Sequence, residues 1–471
     1  MSERSCRAYP NADTCLLTPM LSNARCAMAY VDSITGVQAQ PSGTDEHAMR
    51  KVVVSAALGQ FVEWYDFVVY AYSATMLAKL FFPHSDPVAA LLSTFAVYAV
   101  GFVMRLFGGY VFGRLGDRYG RKSTLAAIIL IMGVSTVGIG LLPTYEQIGV
   151  FAPVLLVVCR LLQGLSAAGE ATGSNSFVAE HAPARRRGIA VAFTYSFANV
   201  GPIVAALVVL AVTSGLGPER YASWGWRIPF LLGAPFALVG IYIRAKVGES
   251  PAFEATKATR RGAPEPILAT LKRYRSEVLF TFVLSALSSL GFYTLAGYFV
   301  TYLTTTTKLS ANDALISNCI ALMLAFLAMN LGGYLSDRFG RKPVLLGALV
   351  LSIVTLIPGY MLAGQGSLAA ANLGQGMIAI AGGLFWGPLP IALLELFPTR
   401  VRLSCASISV NAAYALFGGT APFLSTYLLA LTHNRLAPAY YAAGIFLVAF
   451  LFIVRIPETY RRPLLQEGDL S

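Results

Sequence analysis

At 471 residues, with 56% hydrophobic and only 12% charged side chains, the chain is too apolar for two or three soluble domains, and its apolar residues fall in runs near the bilayer-crossing length. Its net charge of +12 is spread over many loops, which argues against the single basic face of a nucleic-acid binder. Six cysteines, at 6, 15, 26, 159, 319 and 405, contain no CxxC pair and indicate neither a disulfide framework nor a zinc site.

Residues 1–50 are polar, hold no apolar stretch long enough for a signal peptide, and read as a disordered cytoplasmic tail, with Met49 a plausible alternative start. The first apolar segment, 52–78, contains GQFVEWYDF. There Gln60, Glu63, Asp66 and Tyr70 share one helical face. Ionisable groups inside a span are costly and are functional candidates by default. Two carboxyls so close in a low dielectric cannot both ionise cheaply, so Glu63 and Asp66 either take up and release a proton or form a structural hydrogen-bonded pair. Segment 88–112 adds Arg105, which stays charged and needs an anion, from a substrate or from a protein carboxylate. GRLGDRYGRK, Gly113 to Lys122, follows with five charges in ten residues; it must reach a polar surface, with Gly113, Gly116 and Gly120 permitting a tight turn.

Segments 124–142 and 150–177 come next. The latter carries Arg160 and Gln163, with Glu170 on nearly the same face as Arg160, as candidates for substrate binding or coupling. Segments 188–213 and 227–245 complete the first six. Trp224 and Trp226 are expected in an interfacial aromatic belt, and Arg227 is expected to snorkel. After the charged stretch Lys246 to Glu277, six more segments are predicted at 278–303, 313–335, 343–363, 368–394, 403–430 and 438–456. Tyr293, Tyr298, Tyr302, Asn411 and Tyr414 either complete a cavity or simply pack.

GYLSDRFGRK, Gly333 to Lys342, repeats the first charged stretch 220 residues later, and EHAPARRR from Glu180 matches ELFPTRVR from Glu395 as E-x-x-P-x-R-x-R at an offset of 215. Two matches at nearly one offset predict two homologous six-helix halves, with a substrate site between them near the bilayer midplane. The expected division is a tail at 1–50, halves at 51–245 and 278–458, a cytoplasmic linker at 246–277, and a tail at 459–471. Loops on one side carry twenty Lys and Arg against four on the other, so both termini and the linker are expected to be cytoplasmic.

The doubled G-x-L-[AGS]-D-R-x-G-R-K pattern resembles the signature loop of the major facilitator superfamily, over about residues 50–460. GQFVEWYDF, GFVMR, RLLQG with the following GE, WGWRIPF and the E-x-x-P-x-R-x-R element are similar to its metabolite:proton symporter branch, which includes α-ketoglutarate, citrate, shikimate and proline/betaine permeases. Gln60 replaces a frequent Asn, Leu106 replaces the usual Pro after the arginine, and the carboxyl-terminal coiled coil of some osmosensing members is not seen.

The resemblance implies an all-α membrane protein with the twelve-helix major facilitator fold in two pseudo-symmetric halves. Its expected function is alternating-access, proton-coupled import of a small carboxylate-bearing metabolite across the inner (plasma) membrane. An organic acid is the leading expectation; proline or betaine is the alternative, with Trp64 and Tyr65 as possible cation-binding aromatics. The expected substrate set is Arg105, Arg160, Gln60, Tyr70 and Tyr293. The proton set is Glu63, Asp66 and Glu170, since RLLQG resembles an element tied to proton movement. In the family, the acid of the signature loop faces the other half and stabilises the state closed to the cytoplasm. That gives a gating set of Gly113, Asp117, Arg118, Arg121, Asp337, Arg338, Arg341, Glu180 and Glu395, unless these loops only fix topology. The expected partners are a carboxylate or zwitterion, protons and the lipid bilayer. A monomer is expected, without cofactor, metal or nucleic acid. No nucleophile motif, ligand cluster or phosphate loop suggests an enzyme, no filter-like repeat suggests a channel, and sodium is not excluded as coupling ion.

Overall fold

The computed structural model describes residues 46–460 except 84–85, 120, 168–174, 177, 180–181, 183 and 247–266. Residues 1–45 of the expected tail, most of the linker and residues 461–471 therefore lie outside the described residues, whereas 46–50, expected in the tail, belong to the first helix. Among the described residues, twelve helices cross the bundle: α1 (Glu46–Tyr72), α2 (Pro87–Tyr119), α3 (Arg121–Leu141), α4 (Phe151–Ala167), α5 (Arg187–Ser223), α6 (Gly225–Tyr242), α7 (Arg275–Thr306), α8 (Ala311–Phe339), α9 (Arg341–Ala363), α10 (Leu368–Glu395), α11 (Ser404–Thr432) and α12 (Ala437–Ile453). No strand occurs among the described residues. With no water to satisfy backbone groups in lipid, helices bond within themselves, which is why continuous apolar runs fold this way.

Large apolar side chains such as Phe107, Val134, Leu141 and Phe151 are exposed on the outer faces, where lipid is their solvent. Helix association then depends on close packing and on interhelical hydrogen bonds. The two halves meet along two seams, α5 against α8 and α2 against α11.

Three local departures from the sequence expectation have physical causes. The charged stretches are helical rather than loops: α8 continues through Ser336, Asp337 and Arg338 and stops only at Gly340, whose φ of 104° other residues rarely adopt. Trp224 is exposed as a belt residue should be, but Trp226 is fully buried, because the 3-10 turn Gly225–Arg227 rotates it inward, edge-on to Phe81 at 5.9 Å. Finally, α7 and α11 each contain a π-helical turn, Tyr293–Tyr298 and Tyr414–Gly418, at the tyrosines that face the other half. Such turns often mark functional sites.

Candidate functional site

The site is built from α1 outward. Trp64 Nε1 donates to Gln60 Oε1 at 3.0 Å, one turn back, so Gln60 orients an indole. Arg105 Nη2 of α2 donates to Glu63 Oε1 at 2.5 Å, both side chains buried. The Arg105 guanidinium carbon also lies 4.5 Å over Phe67 and 5.2 Å over Phe102. Of the two anions open to Arg105, this state supplies the protein carboxylate. A proton candidate and a substrate candidate are thus joined in one neutral pair.

Asp66 takes the other direction, into the first half. Neither of its carboxyl oxygens has a hydrogen-bond partner of ordinary geometry, and the polar groups nearest in effect are Thr136, Arg160 and Glu63. Arg160 of α4 is 1% exposed. Its Nη1 donates to Gln163 Oε1, on the same helix, at 2.9 Å, and Gln163 Nε2 donates on to Thr136 Oγ1 at 2.6 Å. Its guanidinium carbon lies 3.6 Å over the Tyr70 ring and 5.2 Å from that of Tyr98. Tyr70 is itself fixed by donating to the Thr94 carbonyl at 3.0 Å. Nε and Nη2 of Arg160 are buried without partners. A permanent cation with two free donors, beside an unbonded carboxyl, is suited to hold an incoming carboxylate.

Aromatic rings from both halves close over this layer. Tyr293 lies 5.4 Å from Trp64, 4.8 Å from Phe102, 6.4 Å from Tyr98 and 6.0 Å from Tyr414, centroid to centroid. The hydroxyls of Tyr98 and Tyr293 are buried and unpartnered. Tyr195 and Tyr414 hydroxyls meet at 3.1 Å across the halves. Tyr302 donates to the Arg435 carbonyl, and Asn411 donates to Ser407 on its own helix. Arg227 donates to the Leu142 carbonyl at a helix end.

The second signature stretch lies where α8 meets the start of α5. Backbone N–H groups of Gly188 and Ile189 donate to the two Asp337 oxygens at 2.9 and 2.8 Å. The free amides and partial positive charge of a helix start favour a carboxylate there. A side chain on Gly188 would fall 2.5 Å from Asp337 Oδ1 and 2.6 Å from Arg341 Nη1, so the contact requires glycine. Arg341 donates to Asp337 Oδ1 at 2.6 Å and bridges to both Glu395 oxygens at 3.3 Å. Arg338 is exposed and stacks on Phe339. Thr459 and Tyr460, expected in a tail, dock here: Thr459 Oγ1 donates to Glu395 at 2.6 Å and the Tyr460 hydroxyl to the Asp337 carbonyl. Glu458 caps α9 by accepting from the Arg341 and Lys342 amides at 3.0 and 3.1 Å.

Glu170 and Glu180 lie outside the described residues, as do the side chains of Gly113, Asp117, Arg118 and Arg121. No cluster of metal-ligating side chains occurs among the described residues. The sequence reading missed Tyr98, Phe102, Thr136, Tyr195 and Glu458. Tyr98 and Phe102 were within reach, since they continue the helical face of Arg105 at spacings of four and three.

A twelve-helix bundle in two halves, with buried charges at mid-depth and a polar latch at one end, defines a multi-pass membrane transporter rather than an enzyme. Residues 56–402 match the Major Facilitator Superfamily, and the chain belongs to that family. It is 35% identical over 431 residues to the proline/betaine transporter of Escherichia coli K12, covering 89% of this chain and 86% of that one. It is 34% identical to the glycine betaine/proline/ectoine/pipecolic acid transporter OusA of Dickeya dadantii, covering 89% and 85%. A putative proline/betaine transporter of Staphylococcus aureus COL is 36% identical, covering 87% and 88%. Among solved structures, the xylose transporter XylE of E. coli, in a partially occluded inward-open conformation, superposes with a TM-score of 0.71 over 88% of this chain and 100% of that one, at 21% identity.

These relatives overturn the organic acid as leading substrate class: the similar chains are named for proline and betaine, not for α-ketoglutarate, citrate or shikimate. The physical reason for the misreading is that a buried arginine calls for an anion and is silent on any cationic group attached to it, so the arginines did not distinguish an organic acid from a zwitterion.

Proposed function

We propose that the protein is a proton-coupled symporter that imports a zwitterionic solute of the proline/betaine type across the inner (plasma) membrane, as a monomer with both termini cytoplasmic. The observation that carries this reading is Arg160, a fully buried guanidinium with two unpartnered donors, stacked on Tyr70 and set beside Asp66. In this reading the substrate carboxylate takes the free edge of Arg160, assisted by the Tyr98 and Tyr293 hydroxyls. Asp66 carries the proton. Glu63 and Arg105 neutralise each other and fix α1 to α2. The latch of Asp337, Arg341 and Glu395 on α5 closes the cytoplasmic end, and alternating access proceeds by rocking of one half against the other. The twenty-to-four bias of Lys and Arg supports the orientation. The names of the relatives support the zwitterion, and the xylose–proton symporter among the fold's neighbours is compatible with proton coupling.

The test is uptake into proteoliposomes holding the purified full chain. An inwardly directed proton gradient should accumulate labelled proline and glycine betaine, a protonophore should abolish the accumulation, and a sodium gradient should not replace it. Arg160→Lys, which keeps the charge but not the two-pronged donor edge, should weaken proline binding about tenfold or more without loss of fold. Accumulation driven by sodium alone, or wild-type affinity in Arg160→Lys, would refute the reading.

A further inference from the structure

Between the Asp337 latch and the central layer lies a second tie between the halves. Tyr195 of α5 stands seven residues beyond Gly188, about 10 Å deeper at the rise of a helix, and its hydroxyl meets that of Tyr414 of α11 at 3.1 Å. The latch holds α5 to α8, whereas this bridge holds α5 to α11. Tyr414 is placed by its surroundings. It opens the π turn of α11, its ring lies 5.8 Å from the Arg105 guanidinium carbon, and it stands edge-on to Tyr293 at 6.0 Å. The same π turn ends at Gly418, where an added side chain would fall 2.6 Å from the Tyr293 ring. The two hydroxyls thus close the space between the central layer and the latch with a hydrogen bond that cannot survive rocking of one half against the other.

The face of α7 leading to this bridge is built for two states. Its start lies at the end where α8 stops, since successive spanning helices alternate in direction. There Thr281, Ser285 and Ser288 follow at spacings of four and three, all buried. Many hydroxyls inside the spans donate to a carbonyl one turn back, as Thr94 does to Ala90 and Thr136 to Met132. Thr281 and Ser285 do not: their hydroxyls are buried without a hydrogen-bond partner, which costs free energy until water reaches them. Ser288 lies within reach of the Tyr414 hydroxyl.

We propose that the Tyr195–Tyr414 bridge is the inner gate of the transport path: substrate leaves toward the latch end only when these hydroxyls part, and the Thr281, Ser285 and Ser288 face of α7 then lines a wetted vestibule. The proposal rests on the alternating-access reading above and adds the residues that separate the central site from this exit. Parting the bridge frees two hydroxyls to bond water and lets Thr281 and Ser285 find the partners they lack, so hydration offsets the lost bond. Because Gly418 lies against Tyr293, a movement of α11 that parts the bridge also shifts the support of the central layer. Opening this exit and loosening the site are one movement.

The experiment follows alkylation of a single reporter in the purified full chain, Ser285→Cys or Gly297→Cys, by peptide mass spectrometry, with Tyr195→Phe, Tyr414→Phe or both. Each phenylalanine keeps the ring and deletes the bridge. Ser285→Cys should react about fivefold faster in either variant, the scale of one buried hydrogen bond. The double variant should gain no more than either single one, because both remove the same bond. Gly297→Cys lies toward the opposite end of α7, where an added side chain meets nothing closer than 3.7 Å, and should gain nothing. Unchanged reactivity at position 285, or gains that add in the double variant, overturns the gate. So do equal gains at both reporters, which are the mark of general loosening. Neither reporter uses a substrate or a proton gradient, so this test stands if the solute or coupling assignment fails, and that assignment stands if the gate fails.

Discussion

Arg105 and Arg160 are both buried, at 3% and 1% exposure, yet they hold their charges in different ways. Arg105 has a carboxylate partner at 2.5 Å; Arg160 has stacked rings, one amide and a carboxyl that does not touch it closely enough to bond. Removing one member of a buried pair leaves the other uncompensated, at a cost of about 3–5 kcal/mol, whereas replacing both with apolar residues is often neutral. Arg105→Met should therefore lower the thermal unfolding midpoint sharply, and Arg105→Met with Glu63→Leu should recover most of the loss. A single variant as stable as wild type would show that the pair contributes nothing to folding. Asp66 has no such partner to lose. Asp66→Asn should fold, lose accumulation driven by a proton gradient, and retain exchange of labelled for unlabelled substrate at equal concentrations; full gradient-driven uptake in this variant would remove Asp66 from coupling. The sequence revealed these four residues because charge in an apolar span is conspicuous. It could not reveal which arginine faced which carboxyl, because that depends on how α1, α2 and α4 pack.

At the scale of elements, the charged signature stretch was legible as a repeat, but its form was not. Its residues belong to the end of α8 and the start of α9, and the turn between them is made at Gly340 alone. Composition suggested a loop because its four charges, Asp337, Arg338, Arg341 and Lys342, cannot sit in hydrocarbon; a helix that extends past the hydrocarbon satisfies the same constraint. The contact with α5 was anticipated only through family resemblance, since Gly188 and Asp337 lie 149 positions apart. The docking of Glu458, Thr459 and Tyr460 had no sequence signal, being a tertiary contact of a short polar segment. The latch makes a specific expectation: Asp337→Asn keeps the shape but removes the charge that faces the helix start. Closure at this end should weaken by about 1 kcal/mol, the scale of a helix-terminus charge interaction. A cysteine at Ser196, further along the same seam, should then react several-fold faster with a thiol reagent applied from this end. Unchanged reactivity and unchanged turnover would reduce the stretch to a topological marker.

For the whole molecule, twelve helices in two halves followed from run length and the two repeats, while the closure of the bundle at both ends emerges only from the packed structure. One end is held by Asp337 on the start of α5. The other is held by the Tyr72 hydroxyl donating to Asn318 Oδ1 at 2.6 Å and by Asn312 donating to Ser214 at 3.2 Å. Asn318 also donates to the Leu295 carbonyl, within the π turn of α7, and to Gln375, so this second latch is tied to the element that carries Tyr293. Alternating access requires that the latches release one at a time, so weakening each should bias the population in opposite senses. Tyr72→Phe deletes one buried hydrogen bond, worth about 1 kcal/mol, and should shift the open-to-closed ratio at its own end about fivefold. In the proposed orientation that end faces outward: on intact cells, cysteines placed near Asp86, Glu146 or Glu219 should react with an impermeant thiol reagent, and those near Tyr119 or Ala258 should not. A cysteine at Gly297, in the same π turn and facing Ala71 and Tyr98 of the first half, should gain reactivity from outside in Tyr72→Phe and lose it in Asp337→Asn. If both variants change it in the same direction, the two ends do not oppose each other; if the reactive positions are reversed, the orientation itself is wrong.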